Sequence, residues 1–461
     1  MMQLSQISQA VSGRMLGRDV MLQGISINTR TDCENRLFVA LRGERFDAHD
    51  FIDQAQDAGA GAALIERLAE EKVETAELPS VVVEDTHQAL KDLASWWRGQ
   101  FVLPLIGVTG SVGKTSVKEM LGVIFQQIGR GVVTKGNLNN EIGVPLTLMR
   151  LRLDDHYAIV EMGMNHAGEI SRITQIARPT IALINNAAAA HLEGLGSIAA
   201  VAQAKAEIFE GLAPDGVAVI NNDDAFAEQW KQQVGKRRIV TFALNNDADV
   251  TASYQQIDNV LSIKVSGLGF DFDVQIATVG EHNVANALAA IATALAANIP
   301  IAKIQAGLRE YRPISGRLNL QSYGSVTLID DTYNASPLSM RAAIKVLAAY
   351  QDTTLIIGDM AELGAAAEQE HKQLGRVIAE AGIDNLLVCG QFAERVMQGY
   401  QSKGAERAQS FKSQAELIEF ADRHIDMGAV LIKGSRSAQM ENVVVALQAK
   451  FRANLDGQGD H

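Results

Sequence analysis

Cysteine, proline and aromatic residues are scarce in this sequence, and cations are outnumbered. The two cysteines, Cys33 and Cys389, lie far apart and form no C-x-x-C pair. That argues against a disulfide framework or a cysteine-ligated zinc site and fits a reducing, cytoplasmic setting. Eight prolines and 5% aromatics beside 47% hydrophobic residues exclude fibrous and low-complexity classes. Lys plus Arg number 41 against 54 Asp plus Glu, for a net charge of −13, with no basic tail. A nucleic-acid partner is therefore disfavoured, and any phosphate has to be met by local loops and metal ions. Long apolar runs are missing too. The nearest approach, "ANALAAIATALAANIPIAKI" at 285–304, is mostly alanine and is interrupted by Asn286, Asn298 and Pro300. It predicts a buried helix rather than membrane insertion. The opening "MMQLSQISQAVSG" has no apolar core of the kind a secretory leader needs.

What is present is length and rhythm. A chain of 461 residues exceeds a single core, which stops growing at roughly 250–300 residues, so several domains are expected. Residues 1–84 carry short strands ("GISINTR", "RLFVALRG", "AALIER", "PSVVVED") around one helix-like run after "FDAHDF", the pattern of a small mixed α/β domain. The acidic run 66–78 reads as a solvated face or loop. From 85 to 313, apolar strands closed by Gly, Asn or Asp alternate with helical stretches ("LIGVTG", "YAIVEMG", "IALINNA", "VAVINND", "RIVTF"), which predicts a parallel sheet covered on both faces. Alternation between 249 and 279 predicts antiparallel hairpins at one edge. Past Pro313 the rhythm restarts with "VTLIDDTY", "TLIIGDM", "NLLVCG" and "AVLIKGS", so 314–461 reads as a second, smaller, Rossmann-like doubly wound unit.

The most informative stretch is "VTGSVGKTSVKEM" at 108–120, which follows one predicted strand and opens a helix. The common phosphate loop, G-x-x-x-x-G-K-[ST], would need glycine at 108, where Val108 stands. The loop here is the shorter G-x-x-G-K-[ST]. Backbone N–H groups of Gly110, Ser111, Val112, Gly113, Lys114 and Thr115 can still wrap phosphates at the N-terminus of the helix that continues through Ser116. Lys114 can reach the β and γ phosphates, and Thr115 can hold Mg²⁺. Glu161 of "EMGMNHAGEI" closes another strand, at the sheet edge where open α/β folds bind ligands, and an oxygen donor there suits Mg²⁺. Alone it reads first as a strand-end charge. His191 and Lys205 stand fourteen residues apart in "NNAAAAHLEGLGSIAAVAQAKAEIFEG". By residue type alone, the first is a structural histidine and the second a surface cation.

In order, the short loop preceded by Thr109, Glu161, the His191–Lys205 pair, "GEHNVANALAA" (280–290), "PISGR" and "LIDDTYNASP" resemble the Mur ligase family over about 100–335. The resemblance implies an ATP-dependent amide ligase that works through an acyl phosphate with two Mg²⁺ ions. In that family the matching histidine binds the second ion and the matching lysine, here Lys205, is carbamylated; a carbamate can bind a metal that an ammonium would repel. The family pattern also implies Asn283 on adenine, Arg317 as a γ-phosphate or domain-closure cation, and Asp331 on the ribose hydroxyls. Two departures, Val112 where serine is frequent and a serine in "DDTYNASP" where asparagine is common, remove no group the chemistry needs.

"INTRTDCENRLFVALRGERFDAHDF" near the N-terminus and the C-terminal "IGDMAELG" and "LIKGSRSAQMENVV" resemble the branch of the family that adds D-alanyl-D-alanine to UDP-N-acetylmuramoyl-tripeptide. On that resemblance, Asn28, Thr29 and Arg30 with Asp47 and His49 are the UDP-sugar contact loops. Asn137, Asn139 and Asn140 of "VTKGNLNNEIGVPLTLM" form a substrate loop. Asn334, Asp359, Glu362, Lys433, Ser435 and Arg436 line the C-terminal side of the cleft. The partners so implied are small molecules, and the enzyme is a monomer. Rivals from the residues alone are a folylpolyglutamate synthetase-like ligase, which lacks such an N-terminal domain, and a P-loop regulatory or transport ATPase.

Overall fold

The computed structural model describes residues 2–31, 33–404 and 407–457. Three larger sheets organise them, in the three-domain α/β architecture expected. The N-terminal sheet runs Arg14–Leu16, Ser80–Val83, Ala62–Glu66, Leu37–Val39, Ile25–Ser26, antiparallel only at its first pair. Of the two readings of the acidic run, the solvated face holds: after a short 3-10 turn it forms the helix Glu70–Thr75, whose Val73 is buried while Glu71, Lys72 and Glu74 face water.

The central sheet has nine strands. From the edge they run Phe270–Ile276, Val260–Gly267, Val250–Ile257, Arg238–Ala243, Val217–Asn221, Ile181–Ile184, Leu105–Thr109, Ala158–Glu161 and Val132–Val133. The first two pairings are antiparallel and the others parallel, so the hairpins predicted for 249–279 sit at one edge. Side chains alternate between the faces, as strand geometry requires. Leu105 joins one core with Val160 and Ile184, and Ile106 and Val108 join the other with the helices Lys114–Gln126 and Glu281–Ala296. The alanine-rich helix is buried along most of its length, as its composition predicted. Among the described residues no helix is long and apolar enough to cross a membrane.

The helix Thr86–Arg98 is shared. Leu90, Leu93 and Trp97 lie in one core that also holds Leu37, Val39 and Leu64 of the N-terminal sheet. The C-terminal sheet runs Asn319–Tyr323, Val326–Asp331, Gly428–Lys433, Thr353–Ile357, Asn385–Cys389, Ala408–Phe411, parallel except for its first pair, with helices on both faces.

Candidate active site

Parallel strands end together at one rim, and the register fixes what stands there. Glu161 pairs beside Val108, and Ile184 beside Thr109, so Gly110, Met162 and Asn185 all follow at the same level. Along this rim opens a cleft of about 720 Å³, lined from the central unit by Ser111–Ser116, Glu161, Asn185, Asn186, His191, His282 and Asn283. Facing them across the cleft are Arg317, Asp331, Asn334, Glu362, Lys433 and Arg436. Asn137, Asn139 and Asn140 line the same space. The structure thus brings most of the sequence-predicted residues together.

The phosphate loop turns into its helix at Gly113, whose φ is 80°. A Cβ there would lie 2.2 Å from Asn286 Oδ1 and 2.7 Å from Asn185 Nδ2, so glycine is required twice over. Lys114 folds back, its Nζ donating to Gly110 O at 2.7 Å and Ser111 O at 3.4 Å. Burial pushes its pKa down, opposed by Glu161. Thr115 Oγ1 donates to Glu161 Oε2 at 3.1 Å and accepts from Arg317 Nη2 at 2.9 Å. Arg317 also stacks over the Tyr333 ring at 4.2 Å. Glu161 is 2% exposed, and its other oxygen accepts from Asn139 Nδ2 at 2.8 Å.

Lys205 contradicts the surface-cation reading. It is 1% exposed near the C-terminal end of the helix Ile198–Ala206, and burial, reinforced by the charge of Lys114, pushes its pKa well below the usual lysine range. It does not line the cleft. His191 adopts a left-handed φ of 55°. Its Nδ1 lies 2.8 Å from Glu362 Oε2, a close approach without hydrogen-bond alignment. Glu193 N donates to Glu362 O at 3.3 Å, so this loop docks directly on the C-terminal unit.

Asp331 is fixed by Lys433, whose Nζ lies 2.6 Å from Asp331 Oδ2 and donates to Asn334 O at 2.8 Å. Burial raises the Asp331 pKa and Lys433 pulls it back. Asn283 spends its amide locally, donating to Thr278 Oγ1 at 3.0 Å and Val279 O at 2.9 Å. His282 beside it is held neutral, its pKa pushed down to about 4 by burial and by Lys433.

Four expected contact residues, Asp359, Ser435, His49 and Asp47, need correction, because each is spent within the protein. Asp359 is outside the cleft: its carboxylate accepts the N–H groups of Gln391 (2.7 Å) and Phe392 (3.1 Å), capping the following turn. Ser435 is fully buried and shares a hydrogen bond with Ser437 at 3.1 Å. His49 is buried, its Nε2 accepting from Glu66 N at 3.0 Å and its Nδ1 2.5 Å from Asp47 Oδ1, so neither ring nitrogen is free for a ligand. Asp47 is committed likewise, to His49 and to Arg42 at 2.9 Å; burial works against its charge, but these donors prevail and hold its pKa down at about 2. Residues 28–30 are a separate matter: Asn28 closes its own turn by accepting from Arg30 N at 2.9 Å, and the loop lies outside this cleft, as a UDP contact on the N-terminal unit can.

Sequence reasoning missed Asn185, Asn186 and Asn286, which brace the phosphate loop. Its own rule for strand ends, applied to Glu161, would have found the first two, since "INN" ends an apolar strand in the same way.

Among the described residues no three His, Cys, Asp or Glu side chains converge as a ready metal cluster. The oxygens of Thr115 and Glu161, 3.1 Å apart, nevertheless form a hard donor pair suited to Mg²⁺, which retains waters and substrate oxygens.

Comparison with known proteins places this geometry. Three family profiles match in sequence: "Mur ligase family, catalytic domain" over residues 22–98, "Mur ligase middle domain" over 108–294 and "Mur ligase, glutamate ligase domain" over 316–436. The chain belongs to the Mur ligase family. Within it, the sequence is 42% identical to the UDP-N-acetylmuramoyl-tripeptide–D-alanyl-D-alanine ligase of Escherichia coli, over 96% of this chain and 98% of that protein. A crystal structure of MurF from Acinetobacter baumannii superposes with a TM-score of 0.89 at 36% identity, covering 96% of this chain and 98% of the other. The MurF ligase of Thermotoga maritima, solved in complex with ADP, matches with a TM-score of 0.81 at 26% identity, covering 94% and 98%.

Proposed function

We propose that this chain joins D-alanyl-D-alanine to UDP-N-acetylmuramoyl-tripeptide at the expense of ATP, giving the UDP-linked pentapeptide, ADP and phosphate in peptidoglycan precursor synthesis. The observation that carries the reading is the single cleft in which the phosphate loop faces Arg317, Lys433 and Arg436. A ligase of this kind has to bring a triphosphate, a carboxylate and an amine together between two bodies and exclude water from the activated acyl group.

In this reading the N–H groups of Gly113–Ser116 take phosphate oxygens at the helix N-terminus, and Lys114 swings from its own loop carbonyls to the β and γ phosphates. Arg317 exchanges Thr115 for the γ-phosphate. The tripeptide carboxylate attacks that phosphate, forming an acyl phosphate and releasing ADP; the dipeptide amine then displaces phosphate and forms the amide. Thr115 and Glu161 would hold one Mg²⁺, and the family resemblance implies that His191 and a carbamylated Lys205, which itself lies behind the cleft wall, would hold a second; when bound, the metal would supply charge stabilisation for the transferring phosphoryl group. Lys205 suits the modification because its depressed pKa supplies the neutral amine, which forms an N–C bond to CO2 and loses a proton.

Asp331 takes the ribose hydroxyls and Asn283 meets adenine by turning its amide away from Thr278 and Val279, while Asn137, Asn139 and Asn140 grip the muramoyl peptide. Residues 28–30 meet the UDP moiety. Asn334, Glu362, Lys433 and Arg436 receive the dipeptide, whose carboxylate the cations match. The enzyme works as a monomer in the cytoplasm, where these substrates are dissolved.

The test is phosphate release from ATP and Mg²⁺ with UDP-N-acetylmuramoyl-tripeptide, with and without D-alanyl-D-alanine, with mass detection of the product. Release that requires both substrates and yields a UDP-linked pentapeptide is expected. Release indifferent to both would turn the reading over to a regulatory or transport ATPase.

A further inference from the structure

The shortened phosphate loop raises a physical question. With two residues fewer than the common G-x-x-x-x-G-K-[ST] form, it has less backbone with which to brace itself. The structure supplies the brace from outside. Asn186, two residues beyond the strand Ile181–Ile184, accepts on Oδ1 from Ser111 N at 3.1 Å and from Val112 N at 3.0 Å. Its Nδ2 donates to Val112 O at 3.0 Å, a carbonyl that also accepts from Asn185 Nδ2 at 3.0 Å, whereas the N–H of Val112 has its hydrogen bond from the Asn186 side chain. One side-chain amide therefore pairs with both the N–H and the C=O of Val112, as a neighbouring strand would. Its backbone adds to this, since Ser111 N also donates to Asn186 O at 3.0 Å. The bracing segment is itself anchored, with Ala187 N donating to Asp224 Oδ2 at 2.8 Å and Ala188 N to Ser111 Oγ at 2.9 Å.

This arrangement has a consequence for nucleotide binding. A backbone N–H that already serves a good acceptor is not free to serve a phosphate. The groups of Ser111 and Val112 point to Asn186, which leaves those of Gly113 to Ser116, at the helix start, for the ligand.

We infer that Asn186 is a positioning residue for the phosphate loop: it fixes Val112 on both sides and so aims the donors that follow. The inference rests on the ligase reading in that it takes the loop's ligand to be ATP. Only asparagine meets the requirement. Aspartate keeps the acceptor but loses the donor, alanine loses both, and glutamine is one carbon too long for the same pairing.

The test uses the full chain and two readouts, equilibrium binding of ADP with Mg²⁺ and the KM values for ATP and for UDP-N-acetylmuramoyl-tripeptide. In Asn186→Ala, ADP binding and the KM for ATP are expected to weaken about tenfold or more, a change of the size expected when several hydrogen bonds around one site are lost. The KM for the UDP substrate is expected to stay within about twofold, because its proposed contacts, residues 28–30 with Asn137, Asn139 and Asn140, do not include the loop brace. A purely structural role would instead lower the melting midpoint and weaken both substrates together, and that outcome overturns the assignment, as does unchanged ADP binding. Asn186→Ser, polar but too short to span both groups of Val112, carries the same expectation should the alanine variant fail to fold. If the wild-type chain itself does not bind ADP, it is the ligase reading that fails; if it does and the variant matches it, only the role of Asn186 fails.

Discussion

Replacing Gly113 with alanine is the sharpest way to ask whether the phosphate loop is held as described. The new methyl group meets two obstacles. First, φ at this position is 80°, a left-handed conformation that costs a residue with a Cβ about 1–2 kcal/mol. Second, the Cβ would stand 2.2 Å from Asn286 Oδ1, which forces that amide away and breaks its 3.0 Å hydrogen bond from Asn185 Nδ2. Both asparagines are buried, and a buried group left without its partner costs about 1–3 kcal/mol. Together these give about 2–5 kcal/mol, which in a unit of this size lowers the melting midpoint by roughly 5–15 °C. Gly122, two turns further along the same helix, is the control. It has helical backbone, and an added Cβ would find Val133 methyl carbons no nearer than 3.7 Å. Alanine there gains helix propensity, about 0.5–1 kcal/mol, and should raise the midpoint slightly. Differential scanning calorimetry of the two variants beside the wild type decides the matter. A Gly113→Ala midpoint equal to wild type, or a Gly122→Ala variant weaker than Gly113→Ala, would refute the reasoning.

Lys114→Ala should reduce phosphate release by about 100-fold or more, the scale of losing one donor to a charge that develops in the transition state; retention of near-wild-type turnover would remove Lys114 from the mechanism. Lys205→Ala should be inactive and partly restored by added short-chain carboxylates, and intact protein should show the mass increment of one CO2 on that residue. Full activity in Lys205→Ala without any additive would sink the carbamate. His282 yields a pH prediction: its pKa is about 4 when folded and 6.5 by ordinary reference, so the unfolded chain takes up its proton first on acidification. Its stabilising contribution is complete above pH 6.5 and is lost as the pH falls towards 4. His282→Gln should therefore flatten part of the midpoint-versus-pH curve in that window, and an unchanged slope would contradict the assignment.

The sequence by itself determined a good deal. Apolar runs closed by Gly, Asn or Asp specify parallel strands with a functional rim, because a strand buried on both faces has no polar alternation to show. Glu161 and the loop at 110–116 could be placed on that rim from spacing alone, and the order of short motifs implied the family. These are local signals, carried by neighbours in the chain.

Tertiary structure decided the rest, because partners distant in sequence set what a side chain can do. Lys205 looks like a surface cation on its helix; only packing reveals that it is fully buried beside another cation. His49 and Asp359 look like ligands in exposed loops, but Glu66, Gln391 and Phe392 arrive from elsewhere in the chain to occupy them. Arg317 reaches Thr115 across 202 positions, and Asn286 meets Asn185 across 101, contacts for which the sequence has no spacing rule. Local pattern fixes which elements form and which rim carries chemistry; the pairing of buried charges and amides depends on where the elements close in space, and only the folded chain supplies that.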